Sequence, residues 1–511
     1  MKENIVWYQI NPLYFRQIAE EYQLIGKEEN LNLFDLVRKA LPTLKQKGFT
    51  GLWLMPFYLT GQINKRGQGH LCSISEYELD LQFGNDNDLI NLIQAAQEMG
   101  FKIIAEFIAN HLASDASFLQ NKTKDLIYLD PENKPFFDQN WTDTIKLNHS
   151  APEVIGFVSA TLQCLLKYYK FDGLRLTLAN YVFHGADKPI KSGMGDFQFW
   201  SKALSNTAFD GKIWLAEVEE EKNHDFNGYK DHFELIKDGM TAQENQIPNL
   251  FFKQFSFQLI GKVFQERFFN ELFYQAQIAH LAGIDIKQGF YPFLHYATNH
   301  NHCPSLSLYS SPEAYILSSE IMAFLPGDFS VYAGEEFGLR IKPSLMGINY
   351  CDEAGNMLES KQIKFSDQNT KNLINESLNF ALNLRSSEQT LQKGNLLIAQ
   401  VLNEHNSLSR SLVGFVRYLP EKEDLILIVA NLSNKEARGE IKSFFRTFDF
   451  PAYEFKLAEL LAWIKPNKTG SKLKLEALKP VLVDYILEQQ NKAFHFTLKP
   501  LSSQFFKFKF M

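Results

Sequence analysis

Cysteine is scarce in this chain. Its four cysteines, Cys72, Cys164, Cys303 and Cys351, lie too far apart for a C-x-x-C pair or a zinc-ligand spacing, so neither a disulfide framework nor a structural zinc site is indicated. Their scatter fits a reducing compartment, and a cytoplasmic location is the expectation. Also lacking is any run of about eighteen apolar residues, so no transmembrane helix is expected. The opening stretch, Met1-Lys-Glu-Asn-Ile-Val-Trp-Tyr-Gln-Ile10, runs at once into a strand-like segment with no room for a secretory h-region, and no leader is expected. Positive charge is in deficit. The 52 Lys and Arg against 59 Asp and Glu leave a formal net charge of −7, which argues against nucleic-acid binding and against a polybasic membrane patch. Internal repeats and low-complexity tracts are absent.

What is present is ordinary globular material, 45% hydrophobic and 22% charged over 511 residues, long enough for two or three domains. Strand-like and helix-like runs alternate from the start. Ile5–Ile10, Thr50–Pro56, Phe101–Phe107, Leu174–Leu176 and Lys212–Glu217 read as successive strands, a sixth is placed within Tyr229–Lys237, and Gly289–Thr298 and Asp328–Ala333 follow. Between them, Leu33–Lys47, Asp86–Gln97, Glu153–Tyr169 and Glu313–Phe324 carry apolar residues at helical spacing. Such alternation implies parallel strands joined by helical crossovers, and eight units close into a (β/α)8 TIM barrel. From about residue 393 the texture becomes alternating and turn-rich, as in Leu396–Val401, Leu412–Leu419, Asp424–Leu432, Tyr453–Ile464 and Phe494–Phe510. That texture reads as a separate antiparallel β-domain. The expected division is therefore a barrel over 1–112 and 149–392, a short lobe inserted after the third strand over 113–148, and a C-terminal β-sandwich over 393–511.

In such a barrel the chemistry belongs at the C-terminal strand ends. Strand three ends Glu106-Phe-Ile-Ala-Asn110-His111, strand four Arg175-Leu-Thr177, strand five at Glu217, and strand seven Thr298-Asn299-His300-Asn301-His302. Arg175 is a cation inside an apolar run, so it demands an anionic or strongly polar partner, and Thr177, two residues on, faces the same side. One histidine here would ordinarily be a satisfied structural residue. Two Asn-His pairs, an arginine and a glutamate at strand ends together suggest a polar pocket for a polyhydroxylated ligand.

These stretches resemble the α-amylase family of glycoside hydrolases. Phe101–His111, Gly173–Thr177, Ala216-Glu217-Val218 and Asn299-His300-Asn301 look like the family's third-, fourth-, fifth- and seventh-strand motifs. Glu78–Gly84, Thr144–Asn148 and Leu325-Pro-Gly327 with Tyr332-Ala-Gly-Glu-Glu-Phe-Gly338 support them, in the family's order, and the resemblance runs from Trp7–Pro12 into the last domain. It implies a retaining reaction on α-linked glucose polymers, with two carboxylates flanking the scissile bond. Carried over by motif, Glu217 stands at the general acid, Thr177 at the nucleophile and Asn301 at a third carboxylate. Arg175, His111, His300, Asn299 and Glu106 stand where the family contacts sugar or orients the nucleophile. In Gly69–Asn85, Leu71 and Cys72 fall where the family usually has Tyr-Asp. Cys303-Pro-Ser305 falls where an Arg often follows. The high phenylalanine count, 45, fits either compositional drift or extra surface for stacking on sugars.

A threonine hydroxyl is a poor nucleophile without a general base and offers an oxocarbenium ion no charge. The expectation is thus a catalytically impaired member retaining a cleft for an α-glucan or maltooligosaccharide. An active glycosidase or transglycosylase using Glu217 with a relocated carboxylate such as Glu106 is the alternative, and a structural or partner-binding role a third. Against the second stands the simpler expectation that Glu106 pairs with Arg175, replacing the charge Thr177 does not provide. Glu219, Glu220 and Glu221 read as a solvated loop. Asn110 often helps bind calcium in the family, but the short lobe offers no clear carboxylates. Neither a metal nor another cofactor is expected.

Overall fold

The computed structural model describes residues 4–26, 29–63, 70–120, 124–137, 141–183, 196, 198–218, 235–237, 240–243, 264–284, 291–300, 306, 309, 311–343, 350–351, 357–358, 363–422, 424–446, 454–456, 473–478, 485–488 and 493–510. Eight strands form a closed parallel barrel: β1 (Val6–Ile10), β2 (Gly51–Leu54), β3 (Lys102–Ile108), β4 (Gly173–Thr177), β5 (Ile213–Glu217), β6 (Thr241–Gln243), β7 (Phe293–Tyr296) and β8 (Asp328–Tyr332). Each pairs with the next and β8 closes onto β1. The strands are short and apolar, as parallel strands buried on both faces must be. Alternate side chains point inward. Ile5, Trp7, Trp53, Ile104, Leu215 and Leu294 form a packed plug in the barrel, separate from the larger core under the helices.

Two glycines make room at points of close approach. A Cβ on Gly51 would lie 2.4 Å from Trp7 Cε3, and one on Gly173 only 1.9 Å from the Ile213 carbonyl oxygen of the paired strand. Helices Leu33–Gln46, Asp86–Glu98 and Pro152–Cys164 start at polar or proline N-terminal signals. Asn32 caps the first, and Asn85 with Asp88 makes a capping box on the second. The third passes into a π-helical turn, Leu165–Tyr169, just before β4. After β3, His111–Ala113 pairs antiparallel with Thr144–Lys146 and forms the base of the inserted lobe.

The C-terminal strands make one antiparallel sheet in the order Leu473–Ala477, Ser502–Phe510, Asp424–Asn431, Leu412–Leu419, Asn395–Leu402, Ala437–Arg446, Ala493–Leu498, Tyr485–Glu488, with Glu454–Lys456 beside Ala437–Arg446. Its two faces separate cleanly along Asn395–Leu402. Leu396 and Ile398 join the barrel's core, while Leu397, Ala399 and Val401 join a second core with Phe494, Phe496, Phe506 and Phe508. Gln265, on the helix Phe264–Leu281, ties the domains by donating to the Val401 and Leu412 carbonyls at 3.1 Å each and accepting from the Val401 amide.

The sixth strand corrects the sequence reading. Residues 229–234 lie outside the described residues, Leu235–Lys237 is helical, and the sixth barrel strand is Thr241–Gln243. Three residues with an alanine at their centre give too short a pattern to stand out beside the apolar Phe233-Glu-Leu-Ile236. Of Tyr453–Ile464 only Glu454–Lys456 is described, as a strand, and Phe494–Phe510 divides into two strands at a turn where Leu501 takes a positive φ of 45°.

Candidate active site at the barrel mouth

The inward-facing ends of β2 to β6 converge on Arg175. Register explains the convergence: Glu106 lies opposite Arg175 across β3 and β4, and Gln243 opposite Glu217 across β5 and β6. Arg175 Nη1 meets Glu106 Oε1 at 2.6 Å and donates to Thr177 Oγ1 at 2.8 Å. Its Nη2 meets Glu217 Oε1 at 2.6 Å and donates to Gln243 Oε1 at 3.2 Å. The guanidinium lies over the Trp53 ring, 5.0 Å from its centroid, and Trp53 Nε1 donates to Glu106 Oε2 at 3.0 Å. The side chains of Arg175 and Glu106 are both 0% exposed and that of Glu217 is 6% exposed.

Two carboxylates therefore share one cation in a buried site, where an unpaired charge would cost several kcal/mol. Burial raises the Glu106 carboxyl above its ordinary range, against the pull of Arg175 and with the help of Glu217. Burial alone would lower Arg175, but Glu106 and Glu217 outweigh it and hold the guanidinium up. Cys72 is buried in the same field, and burial raises its thiol well above normal.

Thr177 is held from both sides. Its hydroxyl donates to Glu106 Oε1 at 2.8 Å while accepting from Arg175, so its only proton is committed. Glu217 is likewise engaged at both oxygens, since Oε2 accepts from the Leu178 backbone N–H at 2.9 Å. That N–H is aimed by an unusual turn: Leu178 has φ of 51°, a left-handed conformation a non-glycine residue adopts only at some cost.

The remaining sequence candidates flank this cluster. His300 is 5% and Asn299 3% exposed, just beyond β7. His300 Nδ1 lies 2.6 Å from Gln9 Nε2 at the end of β1, and its ring stands edge-on to Trp53 at 5.9 Å. His111 meets Asn110 Nδ2 through Nδ1 at 3.1 Å and packs on Trp141 at 5.4 Å. Asn301 lies outside the described residues, as do Glu219, Glu220, Glu221 and Cys303. Sequence reasoning missed Trp53, Gln243 and Gln9. The signal for Gln9 was a polar residue inside the otherwise apolar strand Val-Trp-Tyr-Gln-Ile, comparable to the anomaly that marked Arg175.

Asn110 does not suit a calcium ion here. Its Oδ1 accepts from the buried Lys146 Nζ at 2.5 Å, and the same ammonium donates to the Tyr181 carbonyl at 2.9 Å and sits 5.3 Å from the Tyr128 ring centroid. Among the described residues no cluster of three His, Cys, Asp or Glu could hold a metal.

A closed (β/α)8 barrel with a short lobe after β3 and a C-terminal antiparallel sheet matches the fold of solved alpha-amylases. The family model for the alpha-amylase catalytic domain matches residues 34–158. The match ends before β4. The 1,4-alpha-glucan branching enzyme GlgB of Shewanella baltica is 27% identical over 157 residues, 31% of this chain and 21% of that protein. Malto-oligosyltrehalose trehalohydrolase of Deinococcus radiodurans is 27% identical over 152 residues, 30% of this chain and 24% of that one. The matched stretch thus spans about a fifth to a quarter of these curated relatives. In fold, the chain is similar to the maltogenic alpha-amylase AmyB of Thermotoga neapolitana, with a TM-score of 0.68 at 15% identity, covering 99% of this chain and 98% of that one. The alpha-amylase of Geobacillus thermoleovorans in complex with acarbose gives 0.66 at 16%, covering 99% and 98%. Among the described residues no helix is long and apolar enough to cross a membrane.

Proposed function

We propose that this chain is an α-amylase-family protein of α-glucan metabolism that binds a maltooligosaccharide at the barrel mouth and has lost glycosidase chemistry. The observation that carries this reading is the closed cluster around Arg175. A retaining glycosidase needs one carboxylate free to attack the anomeric carbon and one carboxylic acid free to protonate the leaving oxygen. Position 177 offers a neutral hydroxyl whose proton already belongs to Glu106. Glu217 is engaged at both oxygens, by Arg175 and by the Leu178 N–H, which ties it to the same cluster. Asn301, at the third position by motif, carries no charge.

Glu106 is no substitute nucleophile. Its two oxygens take Arg175, Thr177 and Trp53, which makes it the counter-ion of Arg175 rather than a free base. Loss of a nucleophile commonly costs several orders of magnitude in rate, on the order of 4 kcal/mol or more of transition-state stabilisation. Ligand recognition is supported by His300, Asn299 and His111, side chains suited to hydrogen-bonding sugar hydroxyls at the strand ends of a family whose relatives include a 1,4-alpha-glucan branching enzyme.

The deciding experiment pairs a calorimetric titration of the full chain with maltoheptaose and a reducing-sugar assay on the same preparation. Saturable heat without product is the expected result. Product formation that disappears in Glu217→Gln would show an active enzyme, and a flat titration would remove the retained cleft.

A further inference from the structure

Gln9 is a fully buried amide at the end of β1, and nothing in the Arg175 cluster uses it. Its Nε2 lies 2.6 Å from His300 Nδ1, and among the described residues its Oε1 is buried without a hydrogen-bond partner. An amide nitrogen can only donate, so in this orientation of the Gln9 amide Nδ1 of His300 is an unprotonated acceptor. A neutral imidazole then carries its single proton on Nε2. The ring is fixed on a second side by Trp53, edge-on at 86°. Trp53 in turn donates to Glu106 and underlies Arg175, so one indole links the histidine to the ion-paired cluster.

We infer that Gln9 is the positioning residue of His300: it holds the neutral Nε2–H tautomer and makes that histidine a hydrogen-bond donor rather than an acceptor at the mouth. The ligand part of this inference rests on the proposed glucan-binding reading, because an Nε2–H is matched to a hydroxyl or ring oxygen of a neutral sugar. The tautomer does not rest on it. Leaving Gln9 Oε1 without a partner is the cost of this orientation. The opposite orientation would make Oε1 accept from an Nδ1–H and would leave Nε2 of His300 an acceptor.

Long-range proton–nitrogen NMR on the unliganded chain tests the assignment, with His300 identified by its loss in His300→Gln. The expected spectrum shows Nδ1 as a bare, pyridine-type nitrogen and Nε2 as a protonated one. Gln9→Leu should mix the two tautomers and weaken maltoheptaose about tenfold, the worth of one hydrogen bond of about 1.4 kcal/mol. Gln9→Glu should move the proton to Nδ1, since a carboxylate there can only accept. A proton on Nδ1 in the wild-type chain overturns the inference whether or not the variants fold. So does an unchanged His300 spectrum in Gln9→Leu, and an altered spectrum with unchanged affinity overturns the role in binding. If the wild-type chain binds no maltoheptaose, the glucan reading fails while the spectrum of the unliganded chain still decides the tautomer.

Discussion

Glu106 carries the charge that a carboxylate at position 177 would otherwise bring to Arg175. The extra methylene of glutamate lets a residue on β3 reach the guanidinium on β4 at 2.6 Å and still accept the Thr177 hydroxyl. Glu106→Gln takes away one of the two carboxylates on Arg175 and leaves Glu217, so it should cost roughly 1.5–3 kcal/mol, the worth of a hydrogen bond to a charged group, measured by urea unfolding. Thr177→Asp alone should also destabilise, because it sets a second carboxylate against Glu106. Combined, the two changes return one carboxylate to the same guanidinium, and most of the lost stability should come back. A double-mutant cycle showing plain additivity would mean that Arg175 does not couple these positions. Much of this residue-scale picture was legible in the sequence. A cation in an apolar strand announces a buried partner, and Glu106 was the nearest strand-end acid. Trp53, Gln9 and Gln243 were not legible as its neighbours, because which strands lie side by side follows from closure of the barrel and not from spacing along the chain.

At the scale of elements, the strands with glycine entries and long apolar runs could be read directly, and their weakest member could not. Thr241–Gln243 has three residues and no pattern of its own; its partners β5 and β7 impose its extended conformation. Strand Ala437–Arg446 was overlooked because Arg438, Glu440, Lys442 and Arg446 give it the look of a solvated loop, although Ile441 and Phe444 build a core with Phe494 and Phe496. The glycines separate packing from propensity. Gly173→Ala would drive a methyl into the Ile213 carbonyl across the β4–β5 pairing, and a loss above about 3 kcal/mol or failure to fold is expected. Gly156 lies in the helix Pro152–Cys164 with nothing within 4 Å of its Cβ position. Gly156→Ala should therefore stabilise by about 0.5–1 kcal/mol through helix propensity alone. Thermal unfolding of the two variants should move in opposite directions, and a shift of the same sign in both would contradict the assigned strand pairing.

Across the whole molecule, the barrel and the C-terminal sheet meet at a junction crowded with positive charge. Arg417, from the strand Leu412–Leu419, donates to the Phe324 carbonyl at 2.8 Å and to the Gly394 carbonyl at 2.6 Å, and Arg385 donates to the carbonyls of Ala323, Leu325 and Gly327. Both guanidiniums thus face the carbonyl end of the helix Pro312–Phe324, where the helix dipole favours cations. Burial lowers Arg385 to about 10 and, with Arg385 beside it, Arg417 to about 9, so both remain charged at neutral pH. His295, on β7, sits in the same region with Nε2 against the Pro326 carbonyl at 3.2 Å. Burial, then the charge of Arg385 and also that of Arg417, lowers it to about 3, while Asp328 is the carboxylate that opposes this field at Arg385. Above the unfolded histidine's pKa of about 6.5 the imidazole is neutral in both states and imposes no penalty. As pH falls below that value the unfolded chain takes up a proton that the folded chain refuses, so stability falls at up to about 1.4 kcal/mol per pH unit until His295 titrates in the fold near 3. Carboxylates titrate in the lower part of that window, so the informative quantity is the difference between wild type and His295→Gln. Urea midpoints measured from pH 7 to pH 5 should fall more steeply for the wild type, with the two curves parallel above pH 7. Parallel curves throughout would mean that His295 accepts its proton in the folded chain as readily as in the unfolded one, and that the junction tolerates a third positive charge.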